Sequence, residues 1–171
     1  IVSDAAFADA LVIFNDNFAD RNVCKPGANT AMVRPCAFRE SFTGCVVVGI
    51  PTGWSAGDGG FQKLDGSVQQ ALFLAFERVN TALHMHDHIS RVVYSCSAKD
   101  DREMGFAVFS PPSSVINELT RRLQRIPARF ARGTPVSLLA LDIGEEMLES
   151  ARLGQIAKLD KTTFPSWKSS A

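Results

Sequence analysis

A glycine-rich segment in the first half of the chain has the composition of an anion-binding loop. Residues 49–60 read GIPTGWSAGDGG and hold five glycines within twelve residues. Glycine leaves backbone N–H groups accessible, so such a loop can direct several donors at a phosphate, helped by the positive end of a following helix. The segment has neither the Walker A ending nor the G-x-G-x-x-G dinucleotide pattern. A surface loop with Trp54 and Phe61 packed into the core is the alternative.

A cluster of amide and carboxylate side chains precedes this loop. Residues 15–22 read NDNFADRN and follow the apolar run LVIF. Such side chains at the end of a strand can hydrogen-bond a nucleobase or a ribose, and the backbone near Gly27 can approach an anion closely. The alternative is a polar turn, in which Asn and Asp side chains bond to their own backbone.

All three histidines of the chain lie in the short segment HMHDH. If this segment were extended, His84, His86 and His88 would point to one face, as a zinc site requires. The segment lacks one residue of the H-x-H-x-D-H metal motif, and it falls where a predicted helix ends. We therefore expect a solvated helix end that holds no metal. A metal-dependent hydrolase built on the three histidines is kept as an alternative function.

Cysteine spacing and charge argue against several classes of protein. No two of the four cysteines have the C-x-x-C spacing, so we expect reduced thiols. Lysine plus arginine equals aspartate plus glutamate at 18 each, which disfavours a nucleic-acid partner. A local basic patch is formed by Arg121, Arg122, Arg125, Arg129 and Arg132. No apolar run reaches the roughly 20 residues of a membrane span, so we expect a cytoplasmic protein without membrane contact.

The elements that must position these segments can be predicted from the apolar pattern. Short apolar runs bounded by turn residues predict strands over residues 11–14, 45–50, 91–96, 106–109 and 136–141. Helical spacing predicts helices over residues 67–83, 113–126 and 145–158. Ser67 and either Ser113 or Ser114 are the expected N-caps, and Pro51 is expected to stop the second strand.

Strands that alternate with helices predict a three-layer α/β/α domain with a mostly parallel central sheet. We expect one domain over residues 1–160 and a loosely held tail over residues 161–171. Ligands of such sheets usually lie outside the carboxyl ends of the strands. The turn over residues 15–20 and the loop over residues 52–60 are therefore expected to line one pocket.

Two segments resemble macrodomains, and more closely the macrodomain-like proteins of phages and bacteria. ALVIFNDNFAD over residues 10–20 is similar to their strand and asparagine-containing turn. VVVGIPTGWSAGDGG over residues 46–60 is similar to the glycine-rich loop that wraps a diphosphate. The resemblance covers residues 10–126. It departs from the family at Gly27, which stands alone where macrodomains carry a Gly-Gly-Gly-Val type of loop.

The resemblance implies binding of an ADP-ribose-type nucleotide, with no further cofactor, and leaves open whether an ADP-ribosyl bond is also hydrolysed. It makes Asp16 and Asp20 the candidate catalytic carboxylates. The candidate nucleotide-binding residues are Asn15, Asn17, Gly27, Thr52, Gly53, Gly57, Gly59 and Gly60. A non-enzymatic structural protein of a phage or larger assembly is a further alternative.

Overall fold

The computed structural model describes residues 7–27, 29–38, 45–96, 104–105, 111–126 and 137–142. Its elements in chain order are β1 (Ala10–Asn17), a 3₁₀ helix (Asn29–Phe38), β2 (Val46–Gly53), α1 (Gly66–Met85), β3 (Arg91–Cys96), α2 (Ser113–Gln124) and β4 (Ser137–Asp142). The strand predicted over residues 106–109, the helix predicted over 145–158 and the tail over 161–171 lie outside the described residues.

The four described strands form one parallel sheet in the order β2-β1-β3-β4. Ile13 of β1 pairs with Val48 on one side and with Tyr94 on the other. The α/β class, the parallel sheet and the four strands within it are therefore confirmed. The strand order reverses direction between β1 and β3, which is the type of position where open α/β sheets bind their ligands.

This reversal explains which connection covers which face of the sheet. The connection from β1 to β2 crosses the sheet in one direction. The connections from β2 to β3 and from β3 to β4 cross it in the opposite direction. Because parallel crossovers are right-handed, a change of direction puts the connections on opposite faces. The 3₁₀ helix accordingly packs on one face, with Ala31 against Val12 and Phe14, while α1 and α2 share the other face.

The strands are buried on both faces because alternate side chains enter two separate cores. Leu11 and Ile13 join the core beneath α1 and α2, whereas Val12 and Phe14 join the core beneath the 3₁₀ helix. This two-sided burial is what continuous apolar runs predict. Neither α1 nor α2, the two α-helices of the described residues, has the length and apolar character needed to span a bilayer.

The helix starts differ from the expected ones. The N-cap of α1 is Asp65, whose side chain accepts a hydrogen bond from the N–H of Val68, so the expected cap at Ser67 is wrong. Aspartate competes well here because its carboxylate also complements the positive end of the helix. Pro112 precedes α2 without any side-chain cap, and Ser113 is already helical.

Two strands continue beyond their expected ends. β1 extends through the polar residues to Asn17, and β2 continues through Pro51 to Gly53. Proline stops a strand only where its missing N–H is needed, and β2 lies at the edge of the described sheet, where one side of the backbone has no strand neighbour. Asp16 pairs with Pro51 and Asn17 with Gly53, so Thr52 forms a bulge between them.

Candidate functional site

The turn over residues 15–20 and the loop over residues 52–60 are direct neighbours at the carboxyl edge of the sheet. The N–H of Phe18 donates to the carbonyl of Gly53, and the N–H of Ala19 donates to the carbonyl of Trp54, both at 2.9 Å. β1 and β2 are parallel neighbours, so the segments that leave their carboxyl ends meet at the same edge. The two segments are therefore neighbours, whereas the expectation that they line one common pocket stays a prediction.

Asn17 shapes the turn through its own side chain. Its Oδ1 accepts from the N–H of Asp20 at 2.8 Å, and its Nδ2 donates to Asp20 Oδ2 at 2.9 Å. Only 7% of Asn17 is exposed, so both ends of its amide are used inside the protein. This is the polar-turn arrangement that asparagine favours.

Asn15 reaches the position where the strand order reverses. Its Nδ2 donates to the carbonyl of Gly105 at 2.5 Å. Gly105 in turn donates its N–H to the carbonyl of Ser95 in β3. Asn15 therefore connects the end of β1 to Gly105, which is hydrogen-bonded to the end of β3.

Asp16 is buried and carries an ion pair that the sequence reasoning missed. Its Oδ1 accepts from Nε of Arg34 at 2.9 Å, from Nη2 of Arg34 at 2.5 Å and from the N–H of Asn17 at 2.8 Å. Both residues are 3% exposed. Three donors on one oxygen give this carboxylate a structural role. The signal was available: Arg34 is the one charged residue of segment 28–38, and a buried carboxylate needs a cation.

Two glycines make room for this pair. A Cβ on Gly49 would lie 2.8 Å from Asp16 Oδ2 and 2.8 Å from Phe14 Cζ. A Cβ on Gly27 would lie 2.9 Å from Nη2 of Arg34. The N–H of Gly27 donates to the carbonyl of Ala31 at 3.0 Å, so it is already used within the fold.

The glycine-rich loop closes on itself. The N–H of Phe61 donates to the carbonyl of Thr52 at 2.9 Å, and a Cβ on Gly53 would lie 2.9 Å from the Cα of Gly60. Thr52 is fully buried and therefore faces inward. Asp58 accepts from the N–H of Ser55 at 2.7 Å, which braces the tip of the loop.

The remaining loop glycines serve different purposes. Gly59 and Gly60 have φ values of +72° and +98°, a backbone conformation that favours glycine. A Cβ on Gly57 would meet nothing within 4 Å, so its surroundings are open. A side chain can therefore be added at Gly57 without a clash with the rest of the protein.

An aromatic cluster joins the turn to the loop. Trp54 packs edge-on against Phe18 and Phe61, with ring centroids 5.3 and 5.0 Å apart. Phe61 is fully buried, as the surface-loop alternative requires, but Trp54 remains 37% exposed. The guanidinium of Arg21 lies 3.7 Å from the centroid of the Phe18 ring. The cluster thus combines an exposed indole with a cation, both of which contact Phe18.

A basic cavity of about 180 Å³ opens beside the turn, along β2. Its lining includes the side chains of Arg21, Arg34 and Arg78 together with Asp16. Arg78 donates to Asn22 at 3.3 Å, which links α1 to the turn. Three guanidinium groups against one carboxylate leave the lining net positive. Sequence reasoning did not select Arg21, whose place in the polar cluster was the only signal.

The positive end of α1 is already complemented. Asp65 lies there as the N-cap, and the hydrogen bond from the N–H of Val68 is the main cause that holds its pKa below the usual value. Lys63 Nζ lies 3.3 Å from the same carboxylate. The positive end of α1 was expected to stabilise a bound phosphate, but it already interacts with the carboxylate of Asp65.

The histidine segment lies at the amino ends of the strands, opposite to the turn and the glycine-rich loop. His84 is in the last turn of α1, with Nδ1 2.7 Å from the carbonyl oxygen of Asn80, and His86 is the C-cap. The rings of His86 and His88 are 5.7 Å apart. No group of three metal-binding side chains is found among the described residues. The absence of a metal stays a prediction.

No protein-family model, no curated protein and no solved structure matches this chain.

Proposed function

We propose that this chain binds an ADP-ribose-type nucleotide at the carboxyl edge of its sheet, in a macrodomain-like α/β/α fold. The observation that carries the proposal is the pair of hydrogen bonds joining the turn to the loop, from Phe18 to Gly53 and from Ala19 to Trp54. They join the turn that carries Arg21 to the loop that carries Trp54 and Gly57, at the carboxyl ends of the strands, where ligands of open parallel sheets lie.

The base and the diphosphate of the nucleotide each have a chemical counterpart in this region. The exposed indole of Trp54 offers a face on which an adenine ring can stack. The guanidinium of Arg21 carries the charge that a diphosphate requires, and its planar fork suits phosphate oxygens. The open backbone at Gly57 lets the ligand approach the loop.

The two candidate carboxylates, Asp16 and Asp20, support binding of the nucleotide without catalysis. Asp16 is 3% exposed, and its Oδ1 already accepts hydrogen bonds from Arg34 and from the N–H of Asn17, so its carboxylate serves the fold. Asp20 has a side chain that is 43% exposed and accepts one hydrogen bond from Asn17. If an ADP-ribosyl bond is hydrolysed, Asp20 is the carboxylate that would orient the water.

Tryptophan fluorescence tests this proposal directly. The chain has two tryptophans, Trp54 and Trp167, so a Trp167→Phe variant makes Trp54 the sole indole. Titration of this variant with ADP-ribose should quench the emission in a saturable way, because a base stacked on the ring changes its surroundings. Unchanged emission up to about 1 mM nucleotide would contradict the proposal, since weaker binding has little value for recognition.

Metal chelation separates the proposal from its alternative. Removal of a metal held by His84, His86 and His88 should lower the melting temperature of a metal-dependent hydrolase, because a bound metal stabilises the native state by mass action. We expect EDTA to leave the melting temperature unchanged and ADP-ribose to raise it. A fall with EDTA together with no response to ADP-ribose would favour the hydrolase.

A further inference from the structure

The outer surface formed by α1 and α2 has features of a contact surface. The two helices lie side by side on one face of the sheet, and a groove of about 200 Å³ runs between them. We call the region formed by Phe73, Leu74, Glu77, Arg121 and Arg125 the α1–α2 face. None of these residues belongs to the turn or the glycine-rich loop, so this face is separate from the proposed nucleotide site.

Apolar side chains are exposed on the α1 part of this face. Phe73 is 47% exposed and Leu74 is 46% exposed, although both are large and lie in the middle of a regular helix. Phe76 and Ile126, which also line the groove, are buried at its floor. Adjacent exposed apolar side chains beside charged ones are typical of surfaces that contact another protein.

The two helices carry opposite charges across the groove. α1 contributes Glu77, whereas α2 contributes three arginines. Arg121 and Arg122 both donate to the carboxylate of Glu118, at distances between 2.6 and 2.8 Å. Among the described residues Arg125 forms no ion pair, so within this part of the chain its charge is not offset by a carboxylate.

We propose that this face binds a second copy of the same chain through a two-fold axis. A two-fold interface places the same patch on both subunits, so every contact occurs twice. Packing α1 of one copy across α2 of the other brings Glu77 to the partner's Arg125 and buries Phe73 and Leu74 between the copies. A patch with one acidic and one basic side is complementary to itself under that symmetry.

The size of the face sets the strength of this dimer. At 1.5 Å per residue, the 12 residues of α2 extend for about 18 Å, and two packed helices present a face roughly 20 Å wide. Such a face covers roughly 360 Å² per copy, which is less than half of the area that standard interfaces bury on each partner, so the complex is a weak and transient one. The dimer therefore forms only at high protein concentration.

Sedimentation velocity on the full chain tests the proposal. We expect a monomer at about 5 μM and a growing dimer fraction towards about 300 μM, the range in which weak interfaces associate. Phe73→Glu should remove the dimer. Met85→Glu is the matched control, because Met85 is 75% exposed on the same helix but outside the face, and it should leave the dimer unchanged. A wild-type chain that stays monomeric throughout, or a dimer that Met85→Glu disrupts equally, would overturn the proposal.

Charge-reversal variants test whether Glu77 of one copy meets Arg125 of the other copy across the two-fold axis. Glu77→Arg and Arg125→Glu should each raise the dissociation constant about tenfold or more, because each creates like-charge contacts twice in the dimer. The double variant Glu77→Arg/Arg125→Glu should restore association towards the wild-type level. Circular dichroism must show native folding of all three variants. A folded double variant that associates no better than the single variants would contradict the two-fold pairing.

Discussion

Arg34 and Asp16 form an almost completely buried ion pair, with only 4% and 2% of their side chains exposed and Nη2 lying 2.5 Å from Oδ1. The pair joins the 3₁₀ helix to the end of β1. Arg34 Nη1 also donates to the carbonyl of Lys25 at 3.1 Å, so the same guanidinium holds the chain that leaves the turn. The position of the turn thus depends on a contact that is buried inside the protein.

Removal of one partner of this pair should be costly. Arg34→Met leaves the carboxylate of Asp16 buried without its cation, which we expect to lower the free energy of unfolding by about 3–5 kcal/mol. The double variant Asp16→Leu/Arg34→Met removes both charges and should recover a large part of that loss. Urea denaturation of the three proteins measures this. A single variant as stable as the wild type would contradict the structural role of the pair.

Alanine substitution at two glycines tests the packing around Asp16. Gly49→Ala should destabilise the protein by about 2 kcal/mol, because the added Cβ would lie 2.8 Å from both Asp16 Oδ2 and Phe14 Cζ. Gly57→Ala is the matched control and should change stability by less than about 0.5 kcal/mol, since its Cβ meets nothing within 4 Å. Thermal unfolding of both variants measures the two changes in stability. Equal changes would contradict the close approach of Asp16 and Phe14 to Gly49.

The polar side chains show why the sequence predicts the sheet better than the site. The apolar run LVIF identifies β1 because two-sided burial leaves a clear pattern. The pairing of Asp16 with Arg34 joins residues 18 positions apart, and no local pattern encodes it. Asn17 looks the same in sequence whether it binds a ribose or braces its own turn. Only the hydrogen bonds to Asp20 distinguish the two.

Proline and aspartate misled the sequence reasoning for a related reason. Pro51 was expected to end β2, yet it stays in the strand because β2 is an edge strand of the described sheet. Asp65 lies directly before the glycine that starts α1, and either it or Ser67 has the chemistry of an N-cap. The choice between them depends on the residue at which the preceding loop ends and the helical backbone begins.

Glu118 should make stability depend on acid pH. Its pKa is lowered, first by the hydrogen bond from Arg121 and then by that from Arg122. A carboxyl whose pKa is lowered in the folded state contributes stability above its unfolded pKa, and this is lost as the pH falls through the folded value. Glu118→Gln should therefore cost about 0.5 kcal/mol at neutral pH. The difference from the wild type should begin to shrink as the pH falls below the ordinary pKa of 4.5 and should be gone once the pH is below the lowered pKa of the folded state. Urea titrations at several pH values test this.

Arg21 should contribute to nucleotide affinity through its charge. Arg21→Gln should weaken ADP-ribose binding about tenfold, because a charge-assisted hydrogen bond to phosphate is worth roughly 1.5 kcal/mol. Arg125→Gln removes the same charge far from the turn and should leave the affinity unchanged. Fluorescence titration of both variants, each in the Trp167→Phe background, makes the comparison. Equal losses of affinity would mean that only the overall charge matters.

Calorimetric titration with ADP-ribose tests the central claim most directly, on the wild type and on two valine variants. Gly57→Val adds a side chain to the open side of the loop, whereas Gly66→Val adds one at the start of α1, where a Cβ also meets nothing within 4 Å. We predict one binding site per chain for the wild type and for Gly66→Val, and no measurable heat for Gly57→Val despite native folding. A wild-type chain that shows no binding, or a Gly57→Val variant that binds like the wild type, would contradict the proposed nucleotide site.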